Sequence, residues 1–298
     1  MRAWPTIVAL CVLSGIASQA RAQSQAQAIY DEFAGTRSSA MGGAHTGVAT
    51  SNDTLYINPA GLILTKRYNL DVQYSYAPAE QLSRFNFSIV DSKSGPVAGA
   101  AAFTHDWQTG PKTTADINRI YVGSAYSLGD FLAFGTTARY VRGDYYDTTG
   151  TDHPVSDFGG DIGVVARLGD VLGAGVAYQN LFHTGNSPFL RSKLRGGLAL
   201  GLDALVLAGD AVWDVGPKPR EVISWHAGAE YFLAQAVPVR AGYMHAPFAE
   251  QSGVSGVENI LTFGLGWVDP QGGFEASYLQ SLTRKSSRSF YVGMQLFL

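Results

Sequence analysis

Eleven charged side chains recur at one parity of an alternating pattern and could do electrostatic work: Asp71, Arg84, Arg119, Arg139, Asp161, Arg167, Arg195, Asp210, Glu230, Arg240 and Glu275. Five are carboxylates and six are arginines. Every lysine (Lys66, Lys93, Lys112, Lys193, Lys218, Lys285) falls instead at a segment end or in a connection. Arginine grips carboxylates through a planar two-pronged fork, whereas lysine is a hydrated point charge. The set therefore reads as a lumen charge network of paired groups. An ion-selective ring would carry one sign in excess. The plainer alternative is that these charges only satisfy a polar interior.

Catalytic chemistry is not supported by the same survey. His226 and Glu230 share a face but stand roughly 13 Å apart along an extended strand, beyond hydrogen-bond reach. His105-Asp106 and His153 lie near a rim with no serine to activate. The chain has no zinc-ligand spacing, no phosphate loop after a strand and no nucleophile elbow. We expect no catalytic residue, no metal and no cofactor, and a protein that is not an enzyme.

The elements that must carry these charges are strands. Tyr68, Leu70, Val72, Tyr74 and Tyr76 alternate with Asn69, Asp71, Gln73 and Ser75, putting apolar groups on one face and polar groups on the other. Fourteen such segments follow one another, near 67–77, 82–91, 97–107, 117–128, 131–143, 156–168, 171–181, 193–201, 205–213, 222–232, 238–246, 259–268, 273–282 and 287–298. The connections alternate in length. Those at 92–96, 129–130, 169–170, 202–204, 234–237 and 269–272 are short; those at 108–116, 144–155, 182–192, 214–221 and 247–258 are longer. Outer-membrane barrels have short periplasmic turns and longer outside loops, with an even strand number that leaves both chain ends in the periplasm. Twelve strands would also satisfy that parity. A soluble β-sandwich is the competing architecture, but it does not explain the loop alternation together with the export signal below.

Composition agrees. Aromatic residues make up 12%, glycines number 35 and charged residues only 15% of the chain, below the usual quarter. No window after the first residues reaches the 18 or so consecutive apolar positions of a membrane helix. At the start, Arg2, an apolar run at 7–16 and Ala20-Arg21-Ala22 match an export signal with cleavage after Ala22. Cys11, the one cysteine, falls inside that signal, so the mature chain has neither disulfide nor thiolate site. Removing Arg2 and Arg21 from 21 basic residues leaves 19 against 24 acidic, a net charge of −5 that argues against nucleic acid. We expect a bacterial outer-membrane location, with outer-membrane lipid and the barrel-assembly machinery as partners.

Residues 23–66 do not alternate. Asn52 or Asp53 could cap a short helical turn, and Asn58-Pro59 should end it. The Met41-Gly42-Gly43 stretch allows close backbone packing. Inward glycines at 135, 159, 163, 173, 175, 197, 228, 242, 264 and 266 leave space for a body inside the barrel. The segment is therefore expected to fold into the lumen as a plug. The resulting division is 1–22 signal peptide, 23–66 plug or hatch, and 67–298 transmembrane antiparallel β-barrel, an all-β fold.

The run RSSAMGGA at 37–44, then Val48-Ala49 and NPAGL at 58–62, resembles the N-terminal signature of the FadL and PorV/PorQ-like outer-membrane proteins. Its plug-motif positions here are Arg37, Met41, Gly42, Gly43, Asn58, Pro59 and Gly61. LGAGVAYQNL at 172–181 with RGGLA at 195–199, and HAGAEY at 226–231 with VRAGY at 239–243, look more like the PorV/PorQ branch. The resemblance implies a barrel of fourteen strands with an N-terminal hatch. FadL-type members carry long-chain fatty acids and other hydrophobic molecules and release them sideways through a wall opening. PorV-type members serve protein secretion. Two functions are thus open: passage of hydrophobic, fatty-acid-like small molecules, or a non-enzymatic accessory or shuttle role for a secreted protein. The compact outside loops leave less room for a capture groove than FadL has.

Overall fold

A computed structural model describes residues 34–110, 114–146, 150–169, 171–185, 188–215, 222–249 and 255–298. The expected signal peptide and the first residues after it lie outside these. Among the described residues, fourteen strands follow three short helical turns. The turns are α1 (Thr36–Ala40), α2 (Thr54–Ile57) and a 3-10 turn (Pro59–Ile63). The strands are β1 (Tyr68–Ala77), β2 (Leu82–Asp91), β3 (Val97–Thr109), β4 (Thr114–Leu128), β5 (Leu132–Tyr146), β6 (Asp152–Leu168), β7 (Leu172–His183), β8 (Lys193–Leu202), β9 (Leu205–Asp214), β10 (Val222–Leu233), β11 (Val237–Ala249), β12 (Ser255–Asp269), β13 (Gly272–Ser281) and β14 (Arg288–Phe297).

Each strand pairs antiparallel with its sequence neighbours, and β14 returns to β1 with Asn69 opposite Phe297 and Tyr76 opposite Phe290. The barrel is closed, so every strand is paired on both sides and no sheet edge is left to template aggregation. The fourteen-strand count is borne out. At the rim that carries both ends of the barrel chain, here the lower rim, segment ends agree with the sequence reading to within a residue. At the upper rim the strands run on, β6 starting at Asp152 and β11 reaching Ala249. Above the apolar band both faces of a hairpin meet polar surroundings. The ladder continues there while the alternation that marks a strand fades.

Alternation sets the faces. Asn69, Asp71, Gln73 and Ser75 of β1 are buried inside, while Tyr74 and Tyr76 point outward and are exposed. Phe87, Phe103, Ile120, Val122, Ile162, Val176, Leu198, Phe263, Leu265 and Val292 are exposed on the outer surface. Trp213 and Trp225 stand toward the upper rim and Trp267, Phe274 and Phe131 toward the lower. An exterior that is apolar at mid-height with aromatic residues toward its ends is the surface a bilayer requires.

The wall is irregular between β6 and β7. Gly160 faces Phe182 and Ile162 faces Tyr178, so β7 spends three residues where β6 spends only Asp161. Asn180, within this bulge, has φ 52°. Bulges bend a strand and re-aim its side chains. Here the Asn180 N–H donates to Asp161 Oδ1 at 2.7 Å, and the Phe158 and Phe182 rings stack over the seam, 6.3 Å between centroids.

Candidate functional site

Residues 34–63 lie inside the lower and middle barrel. The helical turns are too short to be stable alone, and their order comes from the wall. Asp53 occupies the N-cap position of α2 but makes no capping bond; the sequence expectation of a cap is met in position and not in chemistry. Its carboxylate instead accepts from the Ser38 N–H at 2.9 Å and from Gln73 Nε2 of β1 at 3.2 Å. Burial pushes the Asp53 carboxyl up to about 6. Asn58 does end α2. Its side-chain oxygen accepts from the Ala60 N–H, and its Nδ2 donates to the Thr46 carbonyl at 3.0 Å and the Val164 carbonyl of β6 at 3.2 Å. Pro59 then opens the 3-10 turn.

Toward β8–β13, and at Arg167 of β6, the hatch is held by charge. Arg37 grips Glu230 of β10 with both prongs, Nε to Oε2 at 3.0 Å and Nη2 to Oε1 at 2.6 Å. Arg240 of β11 donates to Glu230 at 2.6 Å and to Glu275 of β13 at 2.9 Å. The third Arg37 prong reaches the Thr50 hydroxyl at 2.6 Å. Asp210 of β9 accepts from the backbone N–H groups of His45 and Thr46, each at 2.9 Å, and from the Thr46 hydroxyl at 2.6 Å. Arg195 of β8 lies against Asp210 at 3.5 Å and donates to the Gly43 carbonyl at 2.9 Å. Arg167 of β6 donates to the Val48 carbonyl at 2.7 Å. His226 binds the Gly42 carbonyl through Nδ1 at 2.6 Å. His45 itself is buried, and burial together with the Arg37 charge pulls its imidazole down to about 3, so it stays neutral.

Close approach requires glycine here. A Cβ on Gly242 would stand 2.3 Å from the Gly42 nitrogen, and one on Gly135 would stand 2.3 Å from the Ala60 nitrogen. Gly42 itself takes φ +64°. Met41 is buried against the Gly228 wall position, and Gly61 sits against the Ala49 carbonyl. Among the inward glycines read from sequence, Gly159 and Gly266 do not touch the hatch; Gly159 faces Asn180 and Leu190, and Gly266 faces Phe274 and Pro238.

On the β3–β6 side the seat is apolar. Leu55, Tyr56, Ile57, Ala60, Leu62 and Ile63 pack on Ala98, Ala100, Ala102, Tyr121, Ala125, Ala133 and Val165. Leu55 reaches the wall backbone at Gly123, where a Cβ would come within 2.5 Å of its side chain. Tyr56 takes its polar partners at the edge of this seat. Its hydroxyl accepts from Asn86 at 2.6 Å, and its carbonyl accepts from Gln179.

Above that seat runs a belt of buried charge. Arg84 and Arg119 both pair with Asp106, and Arg139 pairs with Asp161. Asp106 escaped the sequence reading, which left it at the rim beside His105. One residue along a strand reverses the face, so His105 meets the Trp107 ring while Asp106 points fully inward. Asp71, the remaining member of the expected set, is buried beside Gln73 at 2.8 Å and Gln295 at 3.4 Å and joins no arginine in a described ion pair. Thus the eleven charges do not form one network. They form a hatch latch, a belt and one amide-bound carboxylate.

Higher still, the inward face becomes apolar again. Ile117, Val141, Val155, Ala115, Leu82 and Ala77 enclose Phe189 and Leu190 from the β7–β8 connection. Sequence reasoning missed this compartment, because inward positions were expected to be polar or small. The signal was present: Ile117 and Val141 share the parity of Arg119 and Arg139.

A closed antiparallel barrel with a lipid-facing exterior and a filled lower lumen defines an outer-membrane β-barrel fold. No protein-family profile and no curated protein matches the sequence. Solved structures do match. The CymD monoaromatic hydrocarbon channel is 14% identical, covering 89% of this chain and 96% of that one, at a TM-score of 0.67. The Ralstonia pickettii toluene transporter TbuX is 14% identical over 89% and 98%, at 0.63. The P. putida toluene transporter TodX is 13% identical over 87% and 95%, at 0.60. The FadL-type resemblance read from the sequence is borne out in the fold. The PorV-type secretion alternative finds no support. The first of these is a hydrocarbon channel and the other two are toluene transporters.

Proposed function

We propose that this chain passes small hydrophobic molecules across the bacterial outer membrane, with the upper rim outside and the lower rim in the periplasm. The observation that carries the reading is the apolar upper compartment, set above a hatch whose seat is also apolar, in a fold shared with hydrocarbon channels. Apolar solutes cross the polar surface layer poorly, and an apolar-lined path lowers that barrier. The hatch fills the lower lumen, so passage requires part of it to yield. The reading includes export by the signal at 1–22, cleavage after Ala22, insertion by the barrel-assembly machinery and a lipid-embedded wall. The hatch comprises 23–66, with Arg37, Met41, Gly42, Gly43, Asn58, Pro59 and Gly61 fixing it in place.

The test is uptake of radiolabelled toluene and of a long-chain fatty acid by cells with and without the protein, with a sugar as control. Faster entry of at least one hydrophobic label and unchanged sugar entry are expected. Equal rates for both labels with and without the barrel would remove the reading.

A further inference from the structure

Phe189 is an unusual resident of a barrel lumen. It belongs to a connection, not a strand, yet it is only 1% exposed. Its ring lies in the inward apolar compartment formed by Leu82, Ala115, Ile117, Val141 and Val155. Tyr145 meets it edge-on at 5.5 Å between centroids. Arg119 places its guanidinium carbon 5.5 Å from the ring centroid. That guanidinium is anchored from the other side by Asp106, which Arg84 shares, so it is held as a fixed cationic floor.

The pattern repeats one step down. Arg139, paired with Asp161, stands 5.4 Å from the Tyr121 centroid, and Tyr121 meets the hatch residue Tyr56 edge-on at 5.1 Å. Rings and guanidinium groups thus line the descent from the upper rim to the hatch. Two floors of charge interrupt an otherwise apolar route, and each presents a cation to an aromatic face.

We propose that Phe189 holds the place of a one-ring aromatic ligand, and that Arg119 makes this compartment prefer aromatic rings to saturated rings of equal size. The inference deepens the transport reading and rests on it for its biological meaning. The physical reason is the ring quadrupole. Benzene and cyclohexane bury similar apolar area, but only benzene offers a negative face to a cation. A desolvated cation–π contact is worth up to about 2 kcal/mol, which is a preference on the order of tenfold or more. The ligand site is occupied by a residue of a connection, the class of segment that opens most readily. A ligand ring that replaces Phe189 keeps the contact to Arg119 and frees the connection.

The experiment uses the full barrel carrying Phe189→Ala in phosphatidylcholine nanodiscs. Thermal unfolding is followed with benzene and with cyclohexane, each at the same fraction of its aqueous saturation so that loading of the lipid is matched. An apolar cavity opened in a protein interior by a large-to-small change can take up benzene. Benzene should raise Tm of the variant more than that of the parent, with an apparent affinity about tenfold above that of cyclohexane. Adding Arg119→Met should erase the difference between the two ligands; Asp106 keeps Arg84 as its partner. Equal shifts from benzene and cyclohexane, or a benzene shift no larger in the variant than in the parent, overturn the proposal. Should Phe189→Ala fail to fold, the parent barrel with and without Arg119→Met carries the comparison: benzene should still bind about tenfold more tightly than cyclohexane and lose that margin in the variant, and equal binding in the parent overturns the proposal. Loss of toluene uptake with this selectivity intact would refute transport alone. Uptake with no selectivity at the site would refute the inference alone.

Discussion

The two sides of the hatch are bound to the wall by different physics. Toward β10, β11 and β13 the contact is a chain of buried ions, Arg37–Glu230–Arg240–Glu275, with Asp210 receiving three hydrogen bonds from the hatch nearby. Toward β3–β6 it is apolar, with Leu55 and Leu62 on a wall of alanines. Apolar contact is non-directional and tolerates sliding. A buried ion pair tolerates almost no displacement, because each partner left alone keeps its desolvation cost. The difference makes the charged side the position-specific hold and the apolar side the more tolerant one. Under the proposed transport role, a hatch that yields without unfolding is served by having one of each.

The comparison can be broken most severely at Glu230. Glu230→Ala takes the carboxylate from Arg37, which keeps only the Thr50 hydroxyl, and leaves Arg240 with Glu275 alone; removing one partner of a buried pair costs about 3–5 kcal/mol. Urea unfolding in lipid vesicles should show this loss, and limited proteolysis should show a loosened N-terminal segment with the barrel intact. On the apolar side, Leu55→Ala should cost about 3 kcal/mol by the same measurement, within the range of large-to-small core changes. That side can also be compensated. Gly123→Ala alone collides with Leu55, but in the Leu55→Ala background it should recover part of the loss.

A smaller effect comes from pH. The folded Asp53 carboxyl sits at about 6, above its ordinary 3.8. An acid with a raised folded pKa favours the fold while protonated. Its contribution is full below about pH 4, is lost as pH rises to 6, and is flat beyond. The size is of the order of 2–3 kcal/mol. Asp53→Asn should remove this component of the stability profile between pH 4 and 6, leaving the remaining profile unchanged. The smallest effect is expected at the upper rim. The Arg284–Glu258 pair is part-exposed, so Arg284→Ala should change stability by less than about 1 kcal/mol.

Much of this architecture was legible because alternation reports a wall that faces lipid. The strand count, the closure and the inward parity of Asp71, Arg119 and Glu230 all follow from it. The hatch was legible as an absence of alternation followed by glycines on the inner face. What escaped has a common cause. Alternation says that two faces differ, but near the upper rim it no longer says which one is polar. Ile117 and Val141 therefore line the lumen, and Asp106 turns inward beside a rim histidine. The partners within the charge set escaped for another reason. Which arginine meets which carboxylate depends on strand register: Glu230 is opposite Arg240 across one hairpin, while Arg37 arrives from 193 residues away.

Proposed transport takes apolar molecules through a lumen whose hatch must give way. It can be tested by locking the hatch to the wall. A Cβ at Gly293 of β14 would stand 3.6 Å from the Thr36 Cβ of α1, within the span a disulfide bridges. In a Thr36→Cys/Gly293→Cys chain, oxidation should slow toluene uptake several-fold and reduction should restore it. Uptake at the parental rate with the bond fully formed would contradict the claim.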